Sequence, residues 1–481
     1  MTRIVKIAVL TVWLLLLLGL ARRDFFIARL DSGEQTAVLQ AAKYQQYYGV
    51  HLNGKRIGWV MEDVRPSSSG FSIRQQAALK LKVLQTVQPV NMDLSAELDS
   101  GMRLKTFQFT FSSAFYSTKA EGRTEGKKVF FALNTGRTVI KDAVTLPDTP
   151  FLPLNQRGYL LAKMTRKGDR VKHAFIEPMT LTPHESVITY NGRNKELIGG
   201  RVYNLHEFTE TYSGMKTRFW MDDKGKIIKE ESPAGFVYEA EAKFKAMDIQ
   251  DSGDELLAAV AVQYSGSLLP EGSKTAAYRL RFPPEAQVEL NGGRQQFAEG
   301  KLRISRDVFP PALPASPDAA CAEKKYLKPS RYVQADDPKI VAKAKEIVGT
   351  TTDPAQQVRL LTDWVYEHIE KRPVIGLPDA LTTLDSRLGD CNEHAALFAA
   401  LSRSLGLPTA IAAGVTMQRN AFYYHAWNEV CLGGQWVSVD TTTRQLPADL
   451  YHIRFTRADV EGQIAIGGLL GKLEIEILPP Q

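Results

Sequence analysis

The region from residue 45 to residue 265 alternates between apolar and polar positions. Leu and Val recur at odd positions of 79–87, and Phe recurs at odd positions of 107–115. Such alternation is typical of strands with one buried face. Because proline has no N–H to donate, we expect Pro89 to interrupt or end the first of these strands.

Turn signals separate the apolar runs of this region. Three of them stand between predicted strands: Asn53-Gly54, Asn191-Gly192 and Lys224-Gly225. Asn-Gly favours the positive φ angles of a two-residue hairpin turn. The pattern predicts a β-rich domain over 45–265, built on a large antiparallel sheet that is curved or closed. Three histidines of this region are isolated along the sequence, as surface or hydrogen-bonded histidines are: His173, His184 and His206.

A shorter β-rich stretch follows, and then a proline-rich one. Residues 266–308 predict a small β segment with a turn at Asn291-Gly292-Gly293. Four prolines between positions 309 and 317 exclude a helix interior or a central strand. We therefore predict a linker over 309–320, which is the clearest domain boundary in the sequence, and a last domain over 321–481.

Beyond this linker the apolar spacing becomes helical. Asp337-Pro338 and Asp353-Pro354 each combine a capping side chain with a proline that the first helical position tolerates. They predict helices to about Val348 and about Glu370. A third helix is predicted from Cys391 to about Leu405. The predicted strands are 409–415, 423–432 and 436–440.

The composition of the N-terminus predicts an export signal. Arg3 and Lys6 precede an apolar run over 7–20, which is the size of a signal-peptide core and short for a full membrane span. We predict that residues 1–30 are a cleaved signal peptide or an uncut signal anchor lengthened by residues 25–30. Either form places the rest of the chain in the cell envelope, in the periplasm or another extracytoplasmic space. A buried helix in a cytosolic protein is the less favoured alternative.

Charge and cysteine content exclude several classes of function. Lys and Arg number 60 against 53 Asp and Glu, and this excess of +7 is spread along the chain, which gives no basis for a nucleic-acid partner. Three cysteines exclude a disulfide framework and the common four-ligand zinc patterns. Cys321 and Cys431 could form one disulfide, but we expect two free thiols because Cys321 lies just past a flexible linker.

Cys391 is the first candidate for chemistry. It follows Gly389-Asp390 at the predicted start of the third helix. A helix N-terminus favours the thiolate, which is the nucleophilic form, and its free N–H groups can receive a developing oxyanion. A single cysteine is more commonly a small apolar core residue.

His425 and Asp440 complete a possible triad with Cys391. They lie on two predicted strands that are joined by a Gly433-Gly434 turn, so residue 425 faces about residue 442 and Asp440 lies two positions away. An imidazole there can take the thiol proton, and a carboxylate can fix the tautomer of the ring and stabilise imidazolium. Each residue alone has an ordinary structural explanation, but the three in this order favour catalysis.

The region around these residues resembles the bacterial transglutaminase-like superfamily, which has a papain-like cysteine-protease core. The resemblance covers about 324–475, and its motifs are 388–397 (LGDCNEHAAL), 401–408 (LSRSLGLP), 425–430 (HAWNEV) and 436–440 (WVSVD). It implies an α+β domain of helices packed on an antiparallel sheet. It also implies acyl transfer on a polypeptide or other amide substrate, with Cys391 as nucleophile, His425 as base and Asp440 as orienting acid. Water as acceptor makes a protease or amidase, and an amine makes a transglutaminase.

Other residues near the motif have ordinary structural explanations. His394 follows Cys391 by one helical turn and is a rival base with no predicted partner, while Glu393 suits the positive end of the helix. We expect Trp364 and Trp427 to be core residues. No carboxylate cluster suggests the calcium sites of some animal relatives, so we predict no metal and no cofactor. The alternative function is a catalytically inactive binding or scaffold protein of the envelope.

Overall fold

The computed structural model describes residues 27–29, 44–83, 86–136, 138–152, 157–249, 256, 260–284, 286–310, 321, 323–459 and 463–479. Most of the predicted signal segment, 1–26 and residue 30, lies outside the described residues. Ala28–Arg29 form a short strand. The alternatives of a cleaved signal peptide and an uncut signal anchor over 1–30 both stay predictions. Among the described residues, no helix has both the length and the apolar character needed to span a bilayer.

The N-terminal domain is a sheet of fifteen described strands. In chain order they are β1 (Ala28–Arg29), β2 (Tyr44–Leu52), β3 (Lys55–Ser67), β4 (Gly70–Val83), β5 (Thr86–Asp99), β6 (Leu104–Ser112), β7 (Ser117–Glu125), β8 (Lys128–Asn134), β9 (Val139–Thr145), β10 (Arg170–Glu177), β11 (Thr182–Ile198), β12 (Arg201–Tyr212), β13 (Met215–Met221), β14 (Ile227–Glu231) and β15 (Phe236–Glu241). The strand order is β1-β10-β11-β12-β13-β14-β15-β2-β3-β4-β5-β6-β7-β8-β9. The described ladders are antiparallel except β1 with β10. The helices α1 (Gly158–Lys163) and α2 (Lys243–Ala246) lie in this domain.

This sheet is curved around an apolar core. Phe131 of β8 and Ile176 of β10 lie near opposite ends of the strand order, yet they belong to one buried cluster. The alternating Phe107, Phe109 and Phe111 of β6 point into the same cluster. The predicted large, curved β-rich sheet and its buried face are therefore confirmed, whereas the domain bounds 45–265 stay a prediction.

Two turn predictions are correct and two local predictions are wrong. Asn53-Gly54 joins β2 to β3, and Lys224-Gly225 lies between β13 and β14. Asn191-Gly192 lies inside β11 instead, at a bulge, because the strand continues to a turn at Gly199-Gly200. Pro89 lies inside β5, where it pairs with β4 but precedes the first β6 partner at Asn91, so its missing N–H is tolerated.

The predicted small β segment is part of the C-terminal domain. Its strands are β17 (Thr275–Arg281), β18 (Gln295–Ala298) and β19 (Lys301–Ser305). They share a sheet with β16 (Tyr264–Ser265), which lies just before the predicted segment, and with the chain's last described strand, β26 (Glu474–Ile477), which lies between β16 and β17. Asp307, just after β19, accepts a bond of 2.9 Å from the Ser438 N–H of the last domain. The packing boundary therefore precedes this sheet rather than falling at the proline-rich stretch, of which 311–320 lie outside the described residues.

Four α-helices follow in the described part of the chain. The first and the last of them have the predicted bounds to within one residue. They are α3 (Pro338–Val348), α4 (Pro354–His368), α5 (Ala380–Ser386) and α6 (Cys391–Ser404). The side chains of Asp337 and Asp353 cap α3 and α4, and Gly349 ends α3. The helix α4 ends two residues earlier than predicted, and α5 was not predicted from the sequence.

The helices pack on a four-stranded sheet with the order β24-β23-β22-β25. Its strands are β22 (Thr409–Gln418), β23 (Ala421–Leu432), β24 (Gln435–Val439) and β25 (Ile453–Arg457), and a short pair, β20 (Glu370–Lys371) with β21 (Leu388–Gly389), precedes α6. In the β23–β24 ladder Asn428 faces Val439, which is the predicted register. The buried Ala-rich face of α6 packs on β23, where Asn428 Nδ2 donates to the Ala395 carbonyl (3.0 Å).

The prediction of two free thiols at Cys321 and Cys431 is wrong. The two are joined in a disulfide, with their Cα atoms 5.4 Å apart. The chain past the linker is anchored there rather than loose, because the ring of Tyr326 packs edge-on against Trp436 at 5.0 Å. Cys391 is the free cysteine of the chain.

The two domains share a packed interface. Leu377, in the segment before α5, joins the buried core of the N-terminal sheet. Gln88 donates to the Pro373 carbonyl (2.8 Å), and a Cβ on Gly376 would lie 2.4 Å from the Tyr116 ring. Residue 376 must therefore remain glycine for this contact to form.

Candidate active site

Cys391 is the first residue of α6, where the backbone is held by a reciprocal cap. The Asp390 side chain accepts from the Asn392 N–H (2.9 Å), and the Glu393 carboxylate accepts from the Asp390 N–H (2.8 Å). A Cβ on Gly389 would lie 2.4 Å from the Glu393 Cβ, so the glycine allows this carboxylate to fold back. The sequence thus fixes the sulfur at a helix N-terminus. Glu393 lies in the first turn as expected, but burial and the Asp390 charge raise the pKa of its carboxyl well above the ordinary value, which the expectation of a charged acid there did not include.

His425 and Asp440 meet across the β23–β24 hairpin. His425 Nε2 lies 2.9 Å from Asp440 Oδ2, and both side chains are buried. The turn after β24 holds the carboxylate, because Asp440 Oδ1 accepts from the Thr442 N–H (2.8 Å) and Oδ2 accepts from the Thr443 hydroxyl (2.7 Å). These bonds orient Asp440 before any substrate is present.

Cys391 and His425 line the same cavity, and each of them shifts the pKa of the other. Because Nε2 faces Asp440, Nδ1 is the ring nitrogen that can face the sulfur. The structure therefore joins His425 to Asp440 and places Cys391 at the cavity that His425 also lines.

Burial changes the protonation that we expected for the pair. Burial raises the pKa of the Cys391 thiol, the Asp390 charge raises it further, and the opposing effects of His425 and Ala426 do not compensate. Burial also opposes a charged His425, but Asp440 and the Cys391 sulfur raise the pKa of this imidazole to about 10. The expectation of a thiolate stabilised by the helix alone omitted this desolvation.

The sulfur opens into a cavity of about 250 Å³. Its walls come from the start of α6, from β22 and β23, and from the C-terminal segment, with Tyr424, Gln463, Ile466 and Leu470 among the lining residues. The C-terminal wall rests on the N-terminal domain, since a Cβ on Gly467 would lie 2.6 Å from Met215 Sδ. This wall was not predicted from the sequence.

A larger concavity of about 1000 Å³ lies on strands β5 to β9 of the N-terminal sheet. Its described lining includes exposed Gln108, Glu121 and Lys141 but neither cysteine nor histidine. The smaller cavity therefore holds the candidate chemistry.

His452, which was not predicted from the sequence, contacts the same carboxylate. His452 Nε2 lies 3.1 Å from Asp440 Oδ2, and its Nδ1 lies 2.7 Å from Asp449 Oδ1. The Trp427 ring, expected only as a core residue, packs edge-on against His452 (5.1 Å) and is nearly parallel to His425 (6.2 Å). His425 lies on β23 and His452 lies just before β25, 27 positions later, so their proximity gives no sequence signal and arises from the folded sheet.

The rival base His394 is held by its own helix. Its Nδ1 donates to the Asp390 carbonyl at 2.7 Å, and burial lowers the pKa of its ring. Trp364, which we expected in the core, is half-buried and stacks on His368. Neither observation gives these residues a part in the chemistry.

His425, Asp440 and His452 are also the described group whose ligand atoms lie close enough for a metal ion, within 4.8 Å of one another. Both Nε2 atoms already share Asp440 Oδ2 through hydrogen bonds. A metal would have to replace both bonds, so the group is a hydrogen-bonded network. The sequence expectation of no metal and no cofactor stays a prediction.

A sequence profile of the Transglutaminase-like superfamily matches residues 341–441. The chain contains a transglutaminase-like domain. The match runs from α3 to the residue after Asp440, so this domain includes Cys391, His425 and Asp440 but not His452. The recognition made from the motifs is thereby confirmed.

Solved structures resemble parts of the chain at low identity. One is a candidate cysteine protease from Cytophaga hutchinsonii, with 20% identity and a TM-score of 0.29 over 45% of this chain and 81% of that one. Another is a β-barrel-like protein from Brucella abortus, with 10% identity and a TM-score of 0.32 over 41% of this chain and 94% of that one. No curated protein matches the chain.

Proposed function

We propose that this protein is a cysteine-dependent acyltransferase of the cell envelope that acts on amide bonds, as a protease, an amidase or a transglutaminase. The observation that carries the proposal is the 2.9 Å contact of His425 with Asp440 beside a cavity that Cys391 and His425 both line. The transglutaminase-like domain supports the reaction class.

The first half of the reaction forms a thioester. The Cys391 thiolate attacks the amide carbonyl carbon, a C–S bond forms, and the carbonyl electron pair moves onto oxygen. The Cys391 backbone N–H, which the capping bonds of Asp390 and Glu393 do not use, can receive this oxyanion. As the C–N bond breaks, the His425 imidazolium gives its proton to the leaving amine.

The second half releases the acyl group. Water or a primary amine attacks the thioester carbonyl and gives a proton to His425, and the C–S bond breaks to return the thiolate. Asp440 keeps the imidazole in one orientation and stabilises its charged form throughout both halves.

Two features support an envelope location. The N-terminal segment has the charged start and apolar core of an export signal. The Cys321–Cys431 disulfide is of a kind that persists in oxidising compartments and is rare in the cytosol.

The proposal is tested by turnover of a peptide library by the full chain, with and without an added primary amine. We expect hydrolysis or transamidation that is lost in Cys391→Ala and that EDTA leaves unchanged. Cys391→Ala with full turnover would defeat the proposal. Incorporation of the amine would distinguish a transglutaminase from a hydrolase.

An inactive scaffold is the second candidate, because burial raises the pKa of the Cys391 thiol. Alkylation of Cys391 by iodoacetamide separates the two candidates. A catalytic thiol loses reactivity in His425→Ala at the pH where the wild type reacts, because the imidazolium partner is gone. An inert thiol reacts at the same rate in both proteins.

A further inference from the structure

His452 is a buried histidine with a carboxylate on each side of its ring. Nε2 faces Asp440 at 3.1 Å and Nδ1 faces Asp449 at 2.7 Å, while the side chain of His452 is only 1% exposed. A neutral imidazole has one N–H, but an ionised carboxylate can only accept hydrogen bonds. The doubly protonated ring is therefore the form that satisfies both neighbours.

The groups around the ring favour this doubly protonated form. Burial opposes a charged ring, yet the hydrogen bonds and charges of Asp440 and Asp449 raise the pKa of His452 above its ordinary value. From β22 the Thr416 hydroxyl lies 3.4 Å from Nδ1, and from β23 the His425 ring centre lies 5.7 Å away. The nearby cation Arg294 donates from Nη2 to the backbone carbonyl of His452 (3.1 Å) and not to its ring.

We propose that His452 is a positioning residue of the active site, an inference that rests on the proposed function. It donates to Asp440 Oδ2 from the side opposite His425, and Asp449 anchors it in turn. The polar chain then runs Asp449–His452–Asp440–His425–Cys391, from a carboxylate that is one-third exposed to the nucleophile. Charges alternate along this chain when the sulfur is a thiolate.

Removing the donor should release Asp440 from one of its anchors. His452→Leu takes away both the hydrogen bond and the charge, whereas His452→Gln keeps a side-chain N–H at a comparable reach. A misplaced catalytic group costs about 10²-fold in rate. We expect His452→Leu to lower kcat by about that factor with little change in KM, and His452→Gln to restore most of it.

Alkylation of Cys391 gives a readout that needs no substrate. Cys391 is the free thiol of the chain, so iodoacetamide reports on this site alone while the disulfide is intact. A displaced His425 stabilises the thiolate less, so the alkylation profile of His452→Leu should move to higher pH. The profile of His452→Gln should move less.

His173→Leu is the matched control. His173 is also buried, and its Nε2 lies 3.4 Å from the Glu210 carboxylate, but it belongs to the N-terminal sheet. We expect it to lower the unfolding midpoint without moving the alkylation profile. If His452→Leu does not fold, Asp449→Ala removes the partly exposed anchor instead and should shift the profile in the same direction.

The outcomes separate the two proposals. A wild-type kcat and alkylation profile in folded His452→Leu overturns this inference, and so does a His452→Gln variant as impaired as His452→Leu. Turnover that survives Cys391→Ala overturns the proposed function instead.

Discussion

Protonation at the site is decided residue by residue, by burial and by the nearest charge. Asp440 is buried, which alone would favour its neutral form, but the charges and hydrogen bonds of His425 and His452 lower the pKa of this carboxyl well below its ordinary value. The ionised Asp440 in turn raises the pKa of His425 to about 10. The three residues of the motif therefore depend on a fourth that the motif does not contain.

The pH dependence of acyl transfer should be alkaline. The thiolate forms only above the pKa of Cys391, which burial raises, and the imidazolium persists up to about pH 10. Activity should therefore rise at a higher pH than the ionisation of an exposed cysteine and fall above about 10. A pH profile of kcat/KM checks this prediction, and an acidic optimum would contradict it.

Asp440→Asn should impair the chemistry more than the fold. The amide keeps the shape of the side chain but can no longer stabilise imidazolium, which in a triad costs about 10⁴-fold in kcat. Because the carboxylate raises the pKa of His425, its loss should move the alkaline limb of the profile to lower pH. Kinetics across pH measure both effects, and an unmoved limb would show that Asp440 does not act through His425.

At the scale of the secondary-structure element, the position of the sulfur depends on the cap of α6. Asp390 stabilises the start of α6 by accepting a backbone N–H, and its charge also raises the pKa of Cys391. The same residue therefore stabilises the helix while it opposes formation of the thiolate. Asp353 caps α4 in the same way, with N–H contacts of 3.3 and 3.2 Å, away from the sulfur.

We expect Asp390→Ala and Asp353→Ala each to lower the free energy of unfolding by about 1 kcal/mol. Only Asp390→Ala should also lower the pKa of Cys391, because it removes a like charge next to the thiolate. Denaturant unfolding and the pH dependence of alkylation measure these two effects separately. Equal alkylation profiles in the two variants would show that the Asp390 charge does not raise the pKa of Cys391.

At the scale of the whole molecule, the candidate site is assembled from parts that lie far apart in the sequence. The C-terminal wall of the cavity rests on Met215 of the N-terminal sheet, and the segment around Leu377 packs into the core of that sheet. The disulfide joins residues separated by 110 positions and ties the chain after the linker to the strand of His425. Catalytic geometry and domain packing are thus coupled.

Replacing Cys321 and Cys431 together by serine should lower the free energy of unfolding by about 2–4 kcal/mol, since the disulfide restricts the unfolded chain. Cys391→Ser is the control, because it removes a thiol and leaves the disulfide in place. Urea unfolding of both proteins tests the prediction. An unchanged midpoint in the double variant would show that the disulfide does not stabilise the fold.

Local signals in the sequence were sufficient for much of this structure. The caps of α3 and α4, the start of α6, and the β23–β24 register follow from residues that are close together in the chain. Hydrogen bonds at helix ends and hairpin turns depend on a few neighbouring positions, which explains why Cys391, His425 and Asp440 could be singled out in advance.

Only the tertiary structure decided the features that depend on long-range packing. The sequence alone did not place His452 behind Asp440, pair Cys321 with Cys431, or join the small β segment to the last domain. It also did not predict the raised pKa of Cys391, since desolvation depends on what covers the sulfur in the fold. Each of these properties arises between residues whose proximity no local pattern records.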